Sequence, residues 1–148
     1  MKVFSLFLVL WGILLPFGSA HSAESGQVSV TGAWIREAPP GARVMGGYLT
    51  LKNMHDDDVV ITGSKSSMFK KVEIHKTEVA DGIARMVHQK RLHLKSGSSL
   101  KFEPGGLHLM MMMPNSAISK GDVIDITFQL ETGEEILFQA PVQRDTLN

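Results

Sequence analysis

Between Pro104 and Pro114 the chain reads Pro-Gly-Gly-Leu-His-Leu-Met-Met-Met-Met-Pro, so an imidazole stands two residues before the first of four consecutive methionines. In an extended run side chains alternate, so His108, Met110 and Met112 share one face while Leu107, Leu109, Met111 and Met113 share the other. The second set is apolar throughout, as a core face should be. The first sets imidazole beside thioether, with same-face Cα atoms about 6.5 to 7 Å apart, close enough for two side chains to converge on one ion. Thioether sulfur is neutral and soft, and among biological metals it favours Cu(I). Methionine also fills irregular gaps in cores, and at this point both readings stand.

The other histidines are His21, His55, His75, His88 and His93. Spacing separates one of them from the rest. His75 lies at the end of an extended run, ten residues separate it from Met86, and twenty-one separate Met86 from His108. Asp81-Gly82 is a strong two-residue hairpin signal, which brings His75 and Met86 back towards each other across neighbouring strands. A strand returning from Leu107 then supplies His108 and Met110. No nucleophile stands out, since there is no Cys and no Gly-x-Ser-x-Gly elbow.

The elements that must position these residues are short strands. Gln27 to Arg36 alternates, with Val28, Val30 and Trp34 as its apolar positions, and Ala38-Pro39-Pro40-Gly41 ends it. Val44 to Lys52 follows, and Gly46-Gly47 within it predicts a bulge or a close backbone approach. Asn53 to Asp58 is a turn with three aspartates; it lacks the spacing of a calcium loop and reads as solvated. Further strands are predicted at Val59 to Thr62, Phe69 to Lys76, Ile83 to Gln89, Leu92 to Leu94, Ser99 to Phe102, Val123 to Leu130 and Glu135 to Val142. No window past the first segment carries a helical period. Short strands with Gly, Pro and Asp punctuation predict one antiparallel sandwich or barrel.

Composition narrows the partners. Lys2, the apolar run Val3 to Phe17 and the small residues Gly18-Ser19-Ala20 predict an export signal at residues 1–20, cleaved after Ala20 or after Ser22. The run is too short for a convincing membrane span. The remaining 21–148 form a single domain, with its core at about 27–142. They carry 14 basic and 15 acidic residues, which gives no electrostatic reason to expect nucleic acid or an anionic membrane surface. Without Cys, neither a lipid-anchored lipoprotein nor a disulfide framework is expected.

The pattern His75-x10-Met86-x21-His108-x-Met110 resembles the signature of the periplasmic copper chaperone family of PCuAC type. Ala33-Trp34 before Pro39-Pro40-Gly41, Tyr48-Leu49-Thr50-Leu51-Lys52-Asn53, Val72-Glu73-Ile74-His75 and Pro104-Gly105-Gly106-Leu107-His108 are similar to that family too. The resemblance runs from about Gln27 to Val142. It implies a cupredoxin-like or Ig-like Greek-key β-sandwich that holds Cu(I) at a shallow site, with His75, Met86, His108 and Met110 as ligands. It also implies a periplasmic carrier without catalysis, handing copper to a recipient such as the CuA centre of cytochrome c oxidase subunit II or a Sco-type protein. Thr77 and Ala84 stand where many relatives have further methionines, and the tail Gln143 to Asn148 lacks their His- and Met-rich extension. Four neutral ligands suit monovalent soft copper, whereas zinc sites draw on Cys, His or carboxylates. Two competing expectations are a copper-dependent oxidative enzyme using His21 as a chelating N-terminus, and an Ig-like adhesion module with its methionines in the core.

Overall fold

Alternation of apolar and polar residues turns almost every extended run of this sequence into a strand with one inward face. The computed structural model describes residues 24–25 and 28–144. Eleven strands occur there: β1 (Glu24–Ser25), β2 (Val28–Arg36), β3 (Val44–Asn53), β4 (Val59–Lys65), β5 (Phe69–Ala80), β6 (Ile83–His88), β7 (Leu92–Leu94), β8 (Ser99–Phe102), β9 (Leu107–Pro114), β10 (Val123–Leu130) and β11 (Glu135–Gln143). Among the described residues there is no helix. The export signal, its cleavage point and His21 lie outside the described residues.

Strand order is β6-β5-β9-β8-β3-β2-β11-β10-β4-β7, with β9 also paired to β3. β4 meets β5 at Ser64 and Val72, so the strands next to the two ends of the order join and the sandwich closes into a barrel-like sheet, with β6 and β7 outside the closure. Crossovers link its sides, since β3 leads to β4 and β9 leads to β10 across the core. β11 lies parallel to β2, Val142 beside Ile35, and most other pairs are antiparallel. The architecture is the all-β Greek-key arrangement the sequence implied.

One face of β9 is buried by this closure. Leu109 and Met111 have no exposed surface. They pack inward beside Ile74 and Val72 of β5 and beside Gly47 and Met45 of β3. Each such side chain contributes about 1.5 to 3 kcal/mol through apolar burial. Phe102, Phe128 and Phe138 fill the interior, with ring centroids 6.2 and 5.0 Å apart. Beneath the turn after β3, the buried Asn53 donates to the carbonyls of Asp57 and Leu94 at 2.7 and 3.1 Å. Asp58 accepts from the Ser96 amide at 2.8 Å, so this exposed turn is tied to the β7–β8 loop.

Three local expectations are corrected. Met113 does not share the core face of Met111: it is 40% exposed, because its positive φ of 53° breaks the alternation while its amide bonds Arg43 O at 2.7 Å. Trp34 does not continue the inward series of Val28 and Val30. The bulge lies in β2 between Thr31 and Trp34, where Gly32 takes φ 60°, and the extra residue moves the inward position to the fully buried Ile35. Gly46-Gly47 carries no bulge; side chains, not backbone, approach it closely. A Cβ at Gly47 would lie 3.1 Å from Leu109 Cβ, and one at Gly46 would lie 2.8 Å from the Tyr48 hydroxyl.

The inward setting of Met111 makes a stability prediction. Met111→Ala leaves a core cavity and is expected to cost about 2 to 5 kcal/mol, read as a lower urea midpoint at unchanged slope. A loss below about 1 kcal/mol would contradict its place in the core.

Candidate metal centre

The outer faces of β6, β5, β9 and β3 lie side by side, and their register determines which side chains meet. Asp81 and Gly82 take φ 52° and 75°, the conformation of a type I′ turn, and this two-residue turn sets Thr77 opposite Met86 and His75 opposite His88. On the other side of β5, His75 lies opposite His108 and Glu73 opposite Met110. Met110 in turn lies opposite Gly46 of β3. The four residues singled out from sequence therefore project from one face of three adjacent strands.

His75 and His108 are direct cross-strand partners, with ring centroids 6.0 Å apart and planes inclined by 45°. His108 is buried, with 8% of its surface exposed. Its Nδ1–H donates to Gly106 O at 3.1 Å, since a carbonyl only accepts, and this leaves Nε2 as the nitrogen with a lone pair. His75 Nε2 donates to Glu73 Oε2 at 2.9 Å, and its Nδ1 is buried with no hydrogen-bond partner. An unmade hydrogen bond to a buried atom costs about 1 to 3 kcal/mol, and an incoming metal ion would remove that cost.

Met86, His108 and Met110 line one open cleft of about 270 Å³, together with Thr77, Gly46 and Tyr48. His75 does not line it and adjoins it through its cross-strand partner His108. Met86 forms the rim and is 62% exposed, whereas Met110 is half-buried. Met112 shares the face, paired with Lys71 and Val44, but does not line the cleft. Gly46 has no side chain, so the Tyr48 ring lies across it at the cleft edge. Trp34 packs on that ring at 4.8 Å, and the Arg36 guanidinium sits 5.3 Å from its centroid.

Two residues that sequence reasoning passed over belong to this face. His88 stacks on His75 at 5.4 Å with planes only 22° apart, so the two rings lie side by side and do not converge. Glu73 stands between Lys71, at 2.6 Å from Oε1, and His75. The Lys71 ammonium, and after it the His75 hydrogen bond, hold the Glu73 carboxyl well below its ordinary value of 4.5, at about 2. His88 could have been placed by counting back from the Asp81-Gly82 turn; the Glu73 contacts had no signal beyond alternation.

The donor chemistry decides what could bind. Among the described residues no three His, Asp or Glu side chains come together so as to hold an ion, and the chain has no Cys. The two imidazoles stand beside two thioethers at this face, and thioethers favour soft ions. The residues fit Cu(I) on that ground. A larger cavity, about 530 Å³, lies between Pro39–Arg43 and Ser116–Ser119, and no histidine lines it.

The Glu73 environment predicts a pH effect on the apoprotein. Its pKa is depressed on folding, so its stabilising contribution is present above pH 4.5 and lost as pH falls from there through about 2. Urea midpoints of the wild type should drop across that window, and Glu73→Gln should flatten the drop. Superimposable profiles would show that the carboxylate carries no such linkage.

Against known proteins, the family profile described as "Putative lipoprotein LpqE-like" matches residues 28–142. "Putative lipoprotein Lxx21020" of Leifsonia xyli subsp. xyli (strain CTCB07) is 26% identical over 121 residues, covering 81% of this chain and 72% of that protein. The lipoprotein description belongs to those proteins; no cysteine occurs in the 148 residues here. Two solved structures share the fold. The "Copper-bound PCuAC domain from PmoF2" superposes with a TM-score of 0.71 at 21% identity, over 85% of this chain and all of that domain. The Cu(I) form of DR1885 from Deinococcus radiodurans gives 0.60 at 21% identity, over 84% of this chain and 85% of that one. At these identities the likeness concerns architecture. With a family match spanning nearly the whole described domain and this architecture beneath it, the chain belongs to the LpqE-like family and has the fold of PCuAC domains.

Proposed function

We propose that this protein is a copper carrier that binds Cu(I) through His75, Met86, His108 and Met110. The observation that carries this reading is the cross-strand pairing of His75 with His108 beside a cleft lined by two thioethers. Each imidazole has one nitrogen occupied by a protein hydrogen bond and one left with a lone pair. The copper-bound states described for two proteins of the same fold support the choice of metal.

The site is built for exchange. His108 and Met110 line the cleft and His75 pairs with His108 across the strands, while Met86, also at the cleft, rides on an exposed arm at the end of the strand order. An acceptor can replace Met86 first, so that the ion passes between ligand sets without being released to water. Transfer of this kind breaks and makes only metal–ligand bonds and needs no turnover chemistry, and the protein is accordingly read as a carrier and not as an enzyme. Its acceptor is a copper-accepting protein, with the CuA centre of cytochrome c oxidase subunit II or a Sco-type protein as the specific proposal from family resemblance. Residues 1–20 are proposed as the export signal and the periplasm as the site of action.

Alternation gives neighbouring methionines opposite tasks, and that is the test. Met110→Leu nearly conserves volume and is expected to weaken Cu(I) binding at least about tenfold, or 1.4 kcal/mol. Met111→Leu should leave affinity near wild type. Competition against a chromogenic Cu(I) chelator, with thermal melts as folding control, measures both. The reverse order would remove Met110 from the ligand set, and zinc binding as tight as Cu(I) would reject the soft-donor reading. Binding should also weaken on acidification, since protons compete with the metal for both imidazoles.

A further inference from the structure

Glu73 is not a donor in the proposed site, yet it faces the same side as His75 and lies opposite Met110. We propose that Glu73 is a positioning residue for the metal centre: it holds the proton of His75 on Nε2 and so turns the Nδ1 lone pair into the donor. The metal part of this inference rests on the Cu(I) reading; the proton assignment does not.

A carboxylate accepts and cannot donate. The 2.9 Å contact between Glu73 Oε2 and His75 Nε2 therefore requires that Nε2 carry the hydrogen, and in a neutral ring Nδ1 is then bare. That nitrogen is the one buried without a partner. Across the strand pair His108 is held in the opposite tautomer, since its Nδ1–H is committed to Gly106 O. The two rings thus offer different nitrogens, Nδ1 from β5 and Nε2 from β9.

The carboxylate is itself held. Oε1 takes the Lys71 ammonium at 2.6 Å, with His88 Nδ1 3.8 Å away. That leaves Oε2 for His75 alone. His88, stacked on the His75 ring, limits rotation of that ring. Outer partners of this kind fix the tautomer and orientation of a metal-binding imidazole, and their loss typically weakens metal binding about 10- to 100-fold.

The test has two arms on the same purified variants. Long-range 15N–1H correlation spectra of the metal-free protein, recorded at pH 8, report which nitrogen of His75 is protonated. Wild type should show the Nε2–H form. Glu73→Ala should shift His75 towards a mixture of tautomers, and Glu73→Gln, which keeps an acceptor oxygen, should retain the Nε2–H form. In Cu(I) competition Glu73→Ala should lose about 10- to 100-fold, whereas Glu73→Gln should stay within about threefold of wild type. Thermal melts exclude unfolding as the cause, and the glutamine variant keeps the test decisive if alanine impairs folding.

A His75 Nδ1–H form in wild type would overturn the proposal, as would an unchanged tautomer in Glu73→Ala. Equal copper losses in both variants would also overturn it, because they would point to the carboxylate as a ligand or to its charge alone. Failure of every variant, wild type included, to bind Cu(I) would refute the copper reading and the metal role of Glu73 with it, and the spectra would then decide only the hydrogen bond.

Discussion

The register between β5 and β9 is the constraint on which the rest of the site depends. It sets His75 opposite His108, Glu73 opposite Met110 and Ile74 opposite Leu109 in a single act of pairing. A slip of one residue would send every side chain of a strand to the other face. What prevents the slip is the core, because Leu109, Met111, Val72 and Ile74 are all buried. The hydrophobic face thus determines the geometry of the polar one. Closure by β4 against β5 and by β11 against β2 removes the freedom of the strands behind it.

The polar face combines neutral donors with charged neighbours, of which Arg36 lines the cleft and Glu73 does not. Glu73 is occupied by Lys71 and His75, and Arg36 lies over the Tyr48 ring. A hard divalent cation would ask for carboxylate or carbonyl oxygen, whereas a soft monovalent one is served by imidazole and thioether. The asymmetry of exposure matters as much as the donor set. His108 is enclosed while Met86 stands on a hairpin of which β6 is wholly exposed, so an ion held as proposed would keep one bond open to competition.

Much of this was legible in the sequence, for a physical reason. Alternation and turn residues specify strands locally, so β2 to β11 were all found, and the inward pattern of Leu109 and Met111 was read directly. However, β4 runs on past Thr62 to Lys65 and β5 past Lys76 to Ala80, which sets His75 within its strand and not at its end. The misreadings occur where one residue leaves the extended conformation. Gly32 adds a residue to β2 and transfers the inward position to Ile35, and Met113 adopts a positive φ and turns out to solvent. Such departures depend on the neighbouring strand, which a local pattern does not contain. The two-residue turn at Asp81-Gly82 would have placed His88 opposite His75 by counting. The clamp of Lys71, Glu73 and His75 lay beyond reach, because the hydrogen-bond partners of a side chain follow from rotamers and burial. Met86 and His108 lie far apart in sequence, and their meeting at one cleft required both pairings of β5 together.

The central claim is that imidazole and thioether donors from this one face hold Cu(I). X-ray absorption at the copper edge on the reduced, copper-loaded protein tests it most directly, because it identifies the atoms bonded to the metal. The account predicts a mixed shell of nitrogen and sulfur neighbours, with part of the sulfur contribution lost in Met110→Leu. A shell of nitrogen and oxygen alone, or one unaltered by that substitution, would contradict it.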